Sequence, residues 1–284
     1  HRLARRLGIP LRKAFTGPVT RSRFLSVVCV LTVLLAGCAA PSTGSSAGPS
    51  PDGTAPSVAP STPASTGSPS PSTPAETPAA IDCRKAKCVA LTFDDGPGPQ
   101  TPELLDTLVK EKVPATFFLV GTMIRQHPEV AKRIATTPGM TVANHTISHP
   151  MLTRIAATKA RQEIVDNTKL ITKVTGVKPH YLRPPYGLHN AAVDAVAGKQ
   201  GQAVVLWSAG ALDWQYNKPA KIVEVTLPQI APGAIVLAHD IHPWTIKAVP
   251  TLIAKLRAKG YTLVSLDDIL GPTKPGKTYV RGRH

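Results

Sequence analysis

The sequence predicts an α/β fold: one distorted parallel (β/α) barrel of seven strands, preceded by a signal peptide and a disordered linker. Short β-rich apolar segments alternate with helical segments from about residue 88 to residue 270, which is typical of parallel β/α folds. The first 38 residues contain seven Arg or Lys and no acidic residue. Residues 39–80 consist mainly of Pro, Ser, Thr, Gly and Ala.

Residues 1–38 have the features of an export signal. Basic residues precede an apolar run at residues 24–36, which is too short to span a bilayer comfortably. The run ends in Leu-Ala-Gly-Cys, which resembles the lipobox of bacterial lipoproteins and predicts lipidation of Cys38. Ordinary cleavage nearby and an uncleaved anchor are the alternatives. Because no Met begins the sequence, we expect translation to start at Val19. The expected location is the outer face of the cell membrane, or the exterior if Cys38 carries no lipid.

Residues 39–80 are expected to form a flexible tether, because they carry too few large apolar groups to offset the entropy of ordering. Just beyond the tether, Cys83 and Cys88 form an even pair in an oxidising compartment, which predicts a disulfide. A metal-binding pair is the rival interpretation, but the sequence has no second Cys pair to complete such a site.

The net charge of +16 divides into +7 for residues 1–38, −2 for residues 39–80 and +11 for the remainder. The basic residues are scattered and do not form a stripe with interleaved aromatic residues, so we expect no nucleic-acid partner. Attraction to anionic polymers and simple solubility both remain open. A folded domain is expected over residues 81–272, as a monomer, with residues 273–284 as a disordered basic tail.

The folded domain is expected to alternate strands with helices. The expected strands are residues 89–93, 115–120, 141–143, 181–183, 203–207, 234–238 and 262–265. The expected helices are residues 102–112, 128–136, 153–175, 191–199, 218–229 and 245–259. Thr101 before Pro102 marks a helix start, and Gly176 and Gly260 stand where helices are expected to end.

Polar side chains follow successive strands. These residues are Asp94 and Asp95 after the first strand, His145 after the third, Arg183 at the end of the fourth, Asp213 beyond the fifth and His239 after the sixth. In β/α barrels the carboxyl ends of the strands lie on one face, where active sites are built. We therefore expect these side chains to converge in space.

Asp95, His145 and His149 are the predicted metal ligands. The two imidazoles are four residues apart and would share a face if the turn between them were helical. Two His and one carboxylate form a common set for a catalytic divalent ion. Taken alone, the Asp-Asp-Gly-Pro run is an ordinary turn, and a single His pair is more often structural. The sequence lacks His-Glu-x-x-His, so a zinc peptidase is not indicated.

Three further residues have hypothetical roles from their positions. Arg183, in Arg-Pro-Pro-Tyr-Gly, could pair with a carboxylate, or could merely cap a helix. His239 could act as a general acid, with Asp213 holding its tautomer and raising its pKa.

Together these residues resemble the polysaccharide deacetylases, the NodB-homology group of carbohydrate esterase family four. The resemblance covers about residues 89–270, with five motifs in order. It implies a hydrolase that removes N-acetyl groups from a polysaccharide with the help of a divalent metal, most simply Zn²⁺. The expected substrate is N-acetylglucosamine in cell-wall peptidoglycan. Chitin or chitooligosaccharides, acetylated xylan, and glycan binding without turnover are the alternatives.

The resemblance also implies roles for single residues. The implied roles are Asp94 as general base, Arg183 as its orienting partner, the Tyr186 N–H as an oxyanion donor, His239 as general acid tuned by Asp213, and Pro185, Trp214 and Leu237 as pocket walls. The sequence departs from the family pattern at Gly210, where many members have an Asp. This difference is expected to affect loop rigidity or substrate preference but not the reaction.

Overall fold

The structure is a computed structural model and describes residues 81–283. The predicted signal region, the lipidation of Cys38, the start at Val19 and the linker at 39–80 lie outside the described residues. Within the described part of the chain, no helix combines the length and the apolar character that crossing a bilayer requires.

Nine short strands form one sheet. They are β1 Cys88–Asp94, β2 Ala115–Leu119, β3 Met140–Asn144, β4 Tyr181–Leu182, β5 Ala203–Val205, β6 Ala209–Gly210, β7 Ala234–His239, β8 Thr262–Leu263 and β9 Thr278–Tyr279. Every pairing is parallel, in the order β6-β7-β1-β2-β3-β4-β5-β9, and β8 pairs with β1 outside this path. The sheet curls into a barrel-like shape, and no pairing among residues 81–283 joins β6 to β9.

Eight α-helices accompany the strands in the described part of the chain. They are α1 Thr101–Lys110, α2 Gly121–Gln126, α3 Pro128–Thr136, α4 Ala157–Thr175, α5 Ala191–Lys199, α6 Pro219–Thr226, α7 Pro243–Ala258 and α8 Leu266–Leu270. The glycine at the end of α4 is confirmed: Gly176 has a φ of 75°, a conformation that favours glycine. Thr101 lies inside α1, not before it as predicted, and Gln100 occupies the cap position.

The central strand β1 is buried along its whole length because both of its faces are covered. Leu91 and Phe93 pack with the helices on the outer face of the sheet. Cys88 and Ala90 point to the barrel interior and pack with residues of β2, β5 and β7. This alternation follows from the two-residue period of a strand. It also directs Thr92 and Asp94 toward the interior, where the polar site forms.

The predicted number of seven strands was too low. β6 and β9 were missed because Ala209–Gly210 contains a glycine, which is depleted in strands, and Thr278–Tyr279 lies in a basic segment without an apolar run. The expectation that residues 273–284 form a disordered tail was wrong for the described residues. Thr278 and Tyr279 pair with β5, and the N–H of Gly282 donates to Gly233 O at 2.8 Å. The C-terminal segment is therefore part of the fold.

Cys83 and Cys88 form the predicted disulfide at the amino end of β1. Both side chains are buried, and both pack in the cluster that fills the barrel interior. The bond fixes the segment before β1 at the amino end of the barrel. This end lies opposite the carboxyl ends of the strands.

Candidate active site and metal centre

Asp95, His145 and His149 lie together at the carboxyl ends of the strands, as predicted. Their ligand atoms all lie within 4.8 Å of one another, and no other group of this kind occurs in residues 81–283. Asp95 Oδ1 is 3.4 Å from His145 Nε2 and 3.3 Å from His149 Nε2. Asp95 follows β1 directly with a φ of 73°, which turns its carboxylate away from the strand and toward the two imidazoles.

The two histidines do not meet through a helical turn, so that part of the prediction was wrong. Residues 145–149 form an irregular loop in which Thr146 has a φ of 70° and His149 a φ of 59°. The Asn144 carboxamide oxygen accepts the Thr146 N–H at 2.8 Å, and the Thr146 hydroxyl accepts the His149 N–H at 3.2 Å. These side-chain contacts hold the left-handed backbone and bring the rings to a centroid distance of 4.8 Å.

The three side chains fit a divalent metal. Ligand atoms about 2.0–2.2 Å from a tetrahedral Zn²⁺ lie roughly 3.4 Å apart, close to the distances of Asp95 Oδ1 from the two imidazoles. The Nδ1 of His145 donates to the Arg183 carbonyl oxygen at 2.6 Å, which leaves its Nε2 lone pair free for a metal. Asp95 Oδ1 is buried and has no hydrogen-bond donor among the described residues. Such an acceptor is expected where a cation completes the site.

Asp94 and Arg183 form a buried ion pair beside the metal centre. Arg183 Nη1 donates to Asp94 Oδ1 at 2.6 Å, and the two side chains are 0% and 4% exposed respectively. Arg183 also donates to the Thr92 hydroxyl and to two backbone carbonyls, those of Val205 and Leu206. This network holds one Asp94 oxygen and leaves Oδ2 facing the triad, 3.6 Å from His145 Nε2.

The Arg183 guanidinium is held by planar packing as well as by hydrogen bonds. It lies 4.0 Å from the centroid of the Phe118 ring and 5.8 Å from that of Trp207. A flat, forked cation suits this position because it can stack on a ring while donating within its own plane. The alternative that Arg183 caps a helix does not apply, since all its described partners belong to the barrel interior.

His239 and Asp213 form a second pair, on the other side of Asp95, in which Asp213 is buried and His239 is partly exposed. His239 Nδ1 donates to Asp213 Oδ1 at 2.7 Å, and His239 Nε2 lies 3.9 Å from Asp95 Oδ2. Asp213 also accepts hydrogen bonds from the His239 N–H and from the Thr245 hydroxyl, both at 2.7 Å. Asp213 therefore fixes both the tautomer and the direction of the imidazole, leaving Nε2 toward the cleft.

The charges around the site move several pKa values. Burial opposes the charged form of His239, but the Asp213 carboxylate outweighs burial and raises the pKa of His239 to about 9. Burial likewise opposes ionisation of Asp95, yet the close imidazoles of His145, His239 and His149 hold its pKa well below the usual value. Burial and the charge of His145 lower the pKa of His149, which favours the neutral imidazole that binds metals.

The predicted oxyanion donor is Tyr186, and the predicted pocket walls are Pro185, Trp214 and Leu237. Tyr186 has a left-handed φ of 61°, and its ring centroid is 4.8 Å from that of His149. Among the described residues, the Tyr186 N–H has no hydrogen-bond acceptor, as an oxyanion donor requires. Trp214 is 54% exposed, and its ring is 5.4 Å from that of His239. Pro185 and Leu237 are both buried. Leu237 is two residues before His239 in β7, on the same face.

Gly210 lies in the edge strand β6. There the Gln229 side chain forms the backbone hydrogen bonds that a further strand would otherwise form. The Gln229 carboxamide accepts the Gly210 N–H at 3.0 Å and donates to the Gly210 carbonyl at 2.9 Å. A Cβ at Gly210 would meet only Leu212, at 3.8 Å, so an aspartate would find room there. The backbone around Gly210 is thus held without a side chain of its own.

Two groups near the site were missed by the sequence reasoning. Asp240 is fully buried directly after His239, and burial raises its pKa to about 7. The position of Asp240 next to His239 was the only signal for it. Asn144 precedes His145 and belongs to a buried network of neutral amides with Asn167 and Gln202. Single polar residues at the end of an apolar strand give no pattern from which such a network could be predicted.

Comparison with known proteins agrees with this geometry. Residues 82–205 match the family model described as polysaccharide deacetylase. The peptidoglycan-N-acetylglucosamine deacetylase PgdA of Listeria monocytogenes is 37% identical over 204 residues, which cover 71% of this chain and 43% of that protein. A chitooligosaccharide deacetylase of Bradyrhizobium is 36% identical over 204 residues, which cover 66% of this chain and 93% of that protein.

The fold has also been seen in solved structures. A structure described as T48 deacetylase with substrate superposes with a TM-score of 0.66 and 42% sequence identity, covering 70% of this chain and 100% of that one. The present chain spans less than half of the length of the Listeria relative. It covers 93% of the Bradyrhizobium relative and all of the solved deacetylase chain. The chain therefore belongs to the polysaccharide deacetylase family.

Proposed function

We propose that this protein is a metal-dependent hydrolase that removes N-acetyl groups from a cell-wall polysaccharide, with N-acetylglucosamine in peptidoglycan as its first substrate. The observation that carries the proposal is the arrangement of three groups along one cleft. The Asp95, His145 and His149 site lies between the Asp94–Arg183 pair on one side and the His239–Asp213 pair on the other. A base, a metal site and an acid in this order suit amide hydrolysis.

The reaction consumes one water and one amide and yields acetate and a free sugar amine. A divalent ion, which we propose to be Zn²⁺, would polarise the acetyl carbonyl and lower the pKa of the attacking water. Asp94 accepts a proton from that water through Oδ2, because Arg183 occupies its other oxygen. The Tyr186 N–H donates to the developing oxyanion.

His239 supplies the second proton transfer. The amine is a poor leaving group unless it is protonated as the carbon–nitrogen bond breaks. With a pKa raised to about 9, the imidazole carries this proton at neutral pH, and Asp213 keeps Nε2 directed toward the cleft. Leu237 and Trp214 flank His239 and are proposed to enclose the methyl group of the acetyl substituent.

The choice of polymer rests on the relatives and on the predicted anchor. The Listeria relative is described as acting on N-acetylglucosamine of peptidoglycan, and the Bradyrhizobium relative on chitooligosaccharides. A lipid at Cys38, a tether at residues 39–80 and a basic domain would hold the site at the cell wall, which favours peptidoglycan. Chitooligosaccharides are the second candidate, and acetylated xylan is the third.

An acetate-release assay with paired substrates tests the proposal. The purified protein is incubated with peptidoglycan and, separately, with chitooligosaccharides, before and after treatment with a chelator and again after addition of Zn²⁺. We expect acetate release that the chelator abolishes and Zn²⁺ restores, with the higher rate on peptidoglycan. Faster release from chitooligosaccharides would overturn the choice of polymer. Glycan binding without any acetate release would overturn the enzymatic function.

A further inference from the structure

We infer that Asp240 is a positioning residue that locks the Asp95 loop to the end of β7, and that the Thr101 hydroxyl holds Asp240 in place. The inference rests on the metal site of the proposed function but assigns a role to residues outside the catalytic set. Asp240 directly follows His239, and it is completely buried against the segment that carries Asp95.

The first contact runs from α1 to Asp240. The Thr101 hydroxyl accepts the Gly98 N–H at 2.8 Å, and its oxygen is 2.5 Å from Asp240 Oδ2. A hydroxyl has a single hydrogen, and a backbone N–H can only donate. The hydroxyl therefore donates its hydrogen to Asp240, so one side chain joins the loop after β1 to the carboxylate after β7.

The second contact is between Asp240 and Gly96, the residue after Asp95. A Cβ at Gly96 would lie 2.2 Å from Asp240 Oδ2 and 2.3 Å from Oδ1, so the carboxylate fills the space that a side chain would need. Gly96 is not among the residues with positive φ, so the space, and not the backbone conformation, requires glycine. The Gly96 carbonyl accepts the Val120 N–H at 2.9 Å, which ties the loop to the residue that follows β2.

These contacts have a consequence for the metal centre. Asp95 has a left-handed φ of 73°, and its carboxylate must meet two imidazoles carried by a different loop. Gly96 is clamped between Asp240 and Val120, which fixes the end of the segment from which Asp95 projects. Asp240 also directly follows His239 in the chain. A change in the packing of Asp240 would therefore move both the Asp95 loop and His239. Partners one layer behind metal ligands typically change metal affinity by about 10–100-fold when they are removed.

Thr101→Val tests the first contact, because valine keeps the shape of threonine and lacks the hydroxyl. Metal affinity is measured by competition with a chromophoric chelator for Zn²⁺, on protein that circular dichroism shows to be folded. We expect Thr101→Val to weaken Zn²⁺ binding by about tenfold or more, and Thr101→Ser to retain wild-type affinity. Thr226→Val is the matched control. It removes a buried hydroxyl that donates within α6 to Ile222 O, and it should lower the melting temperature without changing the metal affinity.

A double-mutant cycle tests the second contact. Gly96→Ala should weaken Zn²⁺ binding in the wild-type background, where the new methyl group meets Asp240. In an Asp240→Ala background the methyl group has room, so Gly96→Ala should cost much less. Wild-type affinity in Thr101→Val, or full additivity in the cycle, would overturn the inference. These measurements need no turnover. A wild-type protein that binds Zn²⁺ but releases no acetate would therefore refute the proposed function and leave this inference standing.

Discussion

Replacing Asp94 with asparagine tests the proposed base without removing a proposed metal ligand. Asp94 is a proposed base and not a proposed ligand, so Asp94→Asn should keep the metal bound at Asp95, His145 and His149. General acid–base groups typically contribute about 10²–10⁴-fold to a rate. Asparagine cannot accept the proton, so we expect acetate release to fall by at least about 10²-fold.

The same change has a cost in stability that can be estimated from the structure. Arg183 is 0% exposed and would lose its only carboxylate partner among the described residues. Removing one member of a buried ion pair costs about 3–5 kcal/mol. Arg183 keeps its hydrogen bonds to the Thr92 hydroxyl and to two carbonyls, which favours the lower end of that range, about 3 kcal/mol. For a domain of this size, that corresponds to a fall of about 6–12 °C in melting temperature.

Three measurements on one preparation test this reasoning: acetate release, bound Zn²⁺ by mass spectrometry, and the thermal melt. A second variant, Asp94→Asn with Arg183→Met, removes both charges. Its loss of stability should be smaller than the sum of the two single losses, while its activity stays as low as that of Asp94→Asn. An Asp94→Asn enzyme with activity within tenfold of the wild type would show that Asp94 is not the base. Loss of Zn²⁺ from that variant would show that Asp94 is a ligand.

Three further predictions concern titration, the C-terminal segment and the disulfide. In chelator-treated protein, the His239 imidazole should titrate by NMR with a pKa of about 9. Its stabilising contribution is fully present below about pH 6.5 and is lost as the pH rises through about 9. Asp213→Asn should lower that pKa, because the carboxylate that contributes most to offsetting burial is removed, and an unchanged titration would remove Asp213 from its assigned role. Deleting residues 273–284 leaves the buried N–H groups of Val204 and Leu206 without their partners and should cost at least about 2 kcal/mol. Lys274→Ser with Lys277→Ser, which keeps the backbone pairing, should leave the melting temperature unchanged, and equal losses in both proteins would contradict the structural role. Replacing Cys83 and Cys88 with serine opens a loop with a sequence separation of 5. The free energy of unfolding, measured by thermal melting, should fall by about 2 kcal/mol. Acetate release should be retained, because the bond lies at the amino end of β1 and the site at the carboxyl ends of the strands.

Much of the fold could be predicted because β/α barrels repeat one local pattern. The long strands β1, β2 and β7 are buried on both faces, so each appears in the sequence as a continuous apolar run. The two-residue strands β6 and β9 exist only because neighbours pair with them, and nothing in their own residues indicates a strand. The prediction of a disordered tail at residues 273–284 was wrong for the same reason. The basic residues of this segment indicate that it is solvent-exposed, but they carry no information about its backbone pairing with β5.

The metal centre shows the same division. Residue type and position after a strand were enough to select Asp95, His145 and His149. The sequence could not show how His145 and His149 meet, because the loop depends on left-handed residues held by Asn144, not on helical spacing.

Residue type and position along the chain are enough to identify which side chains can do chemistry and to predict that they gather at one end of a parallel sheet. The chemical identity of a side chain is local information, and the rule that strand ends share a face is general. Which groups touch is known only from the folded chain: Asp94 with Arg183, Asp213 with His239, and Asp240 with Thr101 and Gly96. Each of these contacts joins residues far apart in the chain through the closure of the barrel. Their distances are set by packing, which no short stretch of sequence specifies.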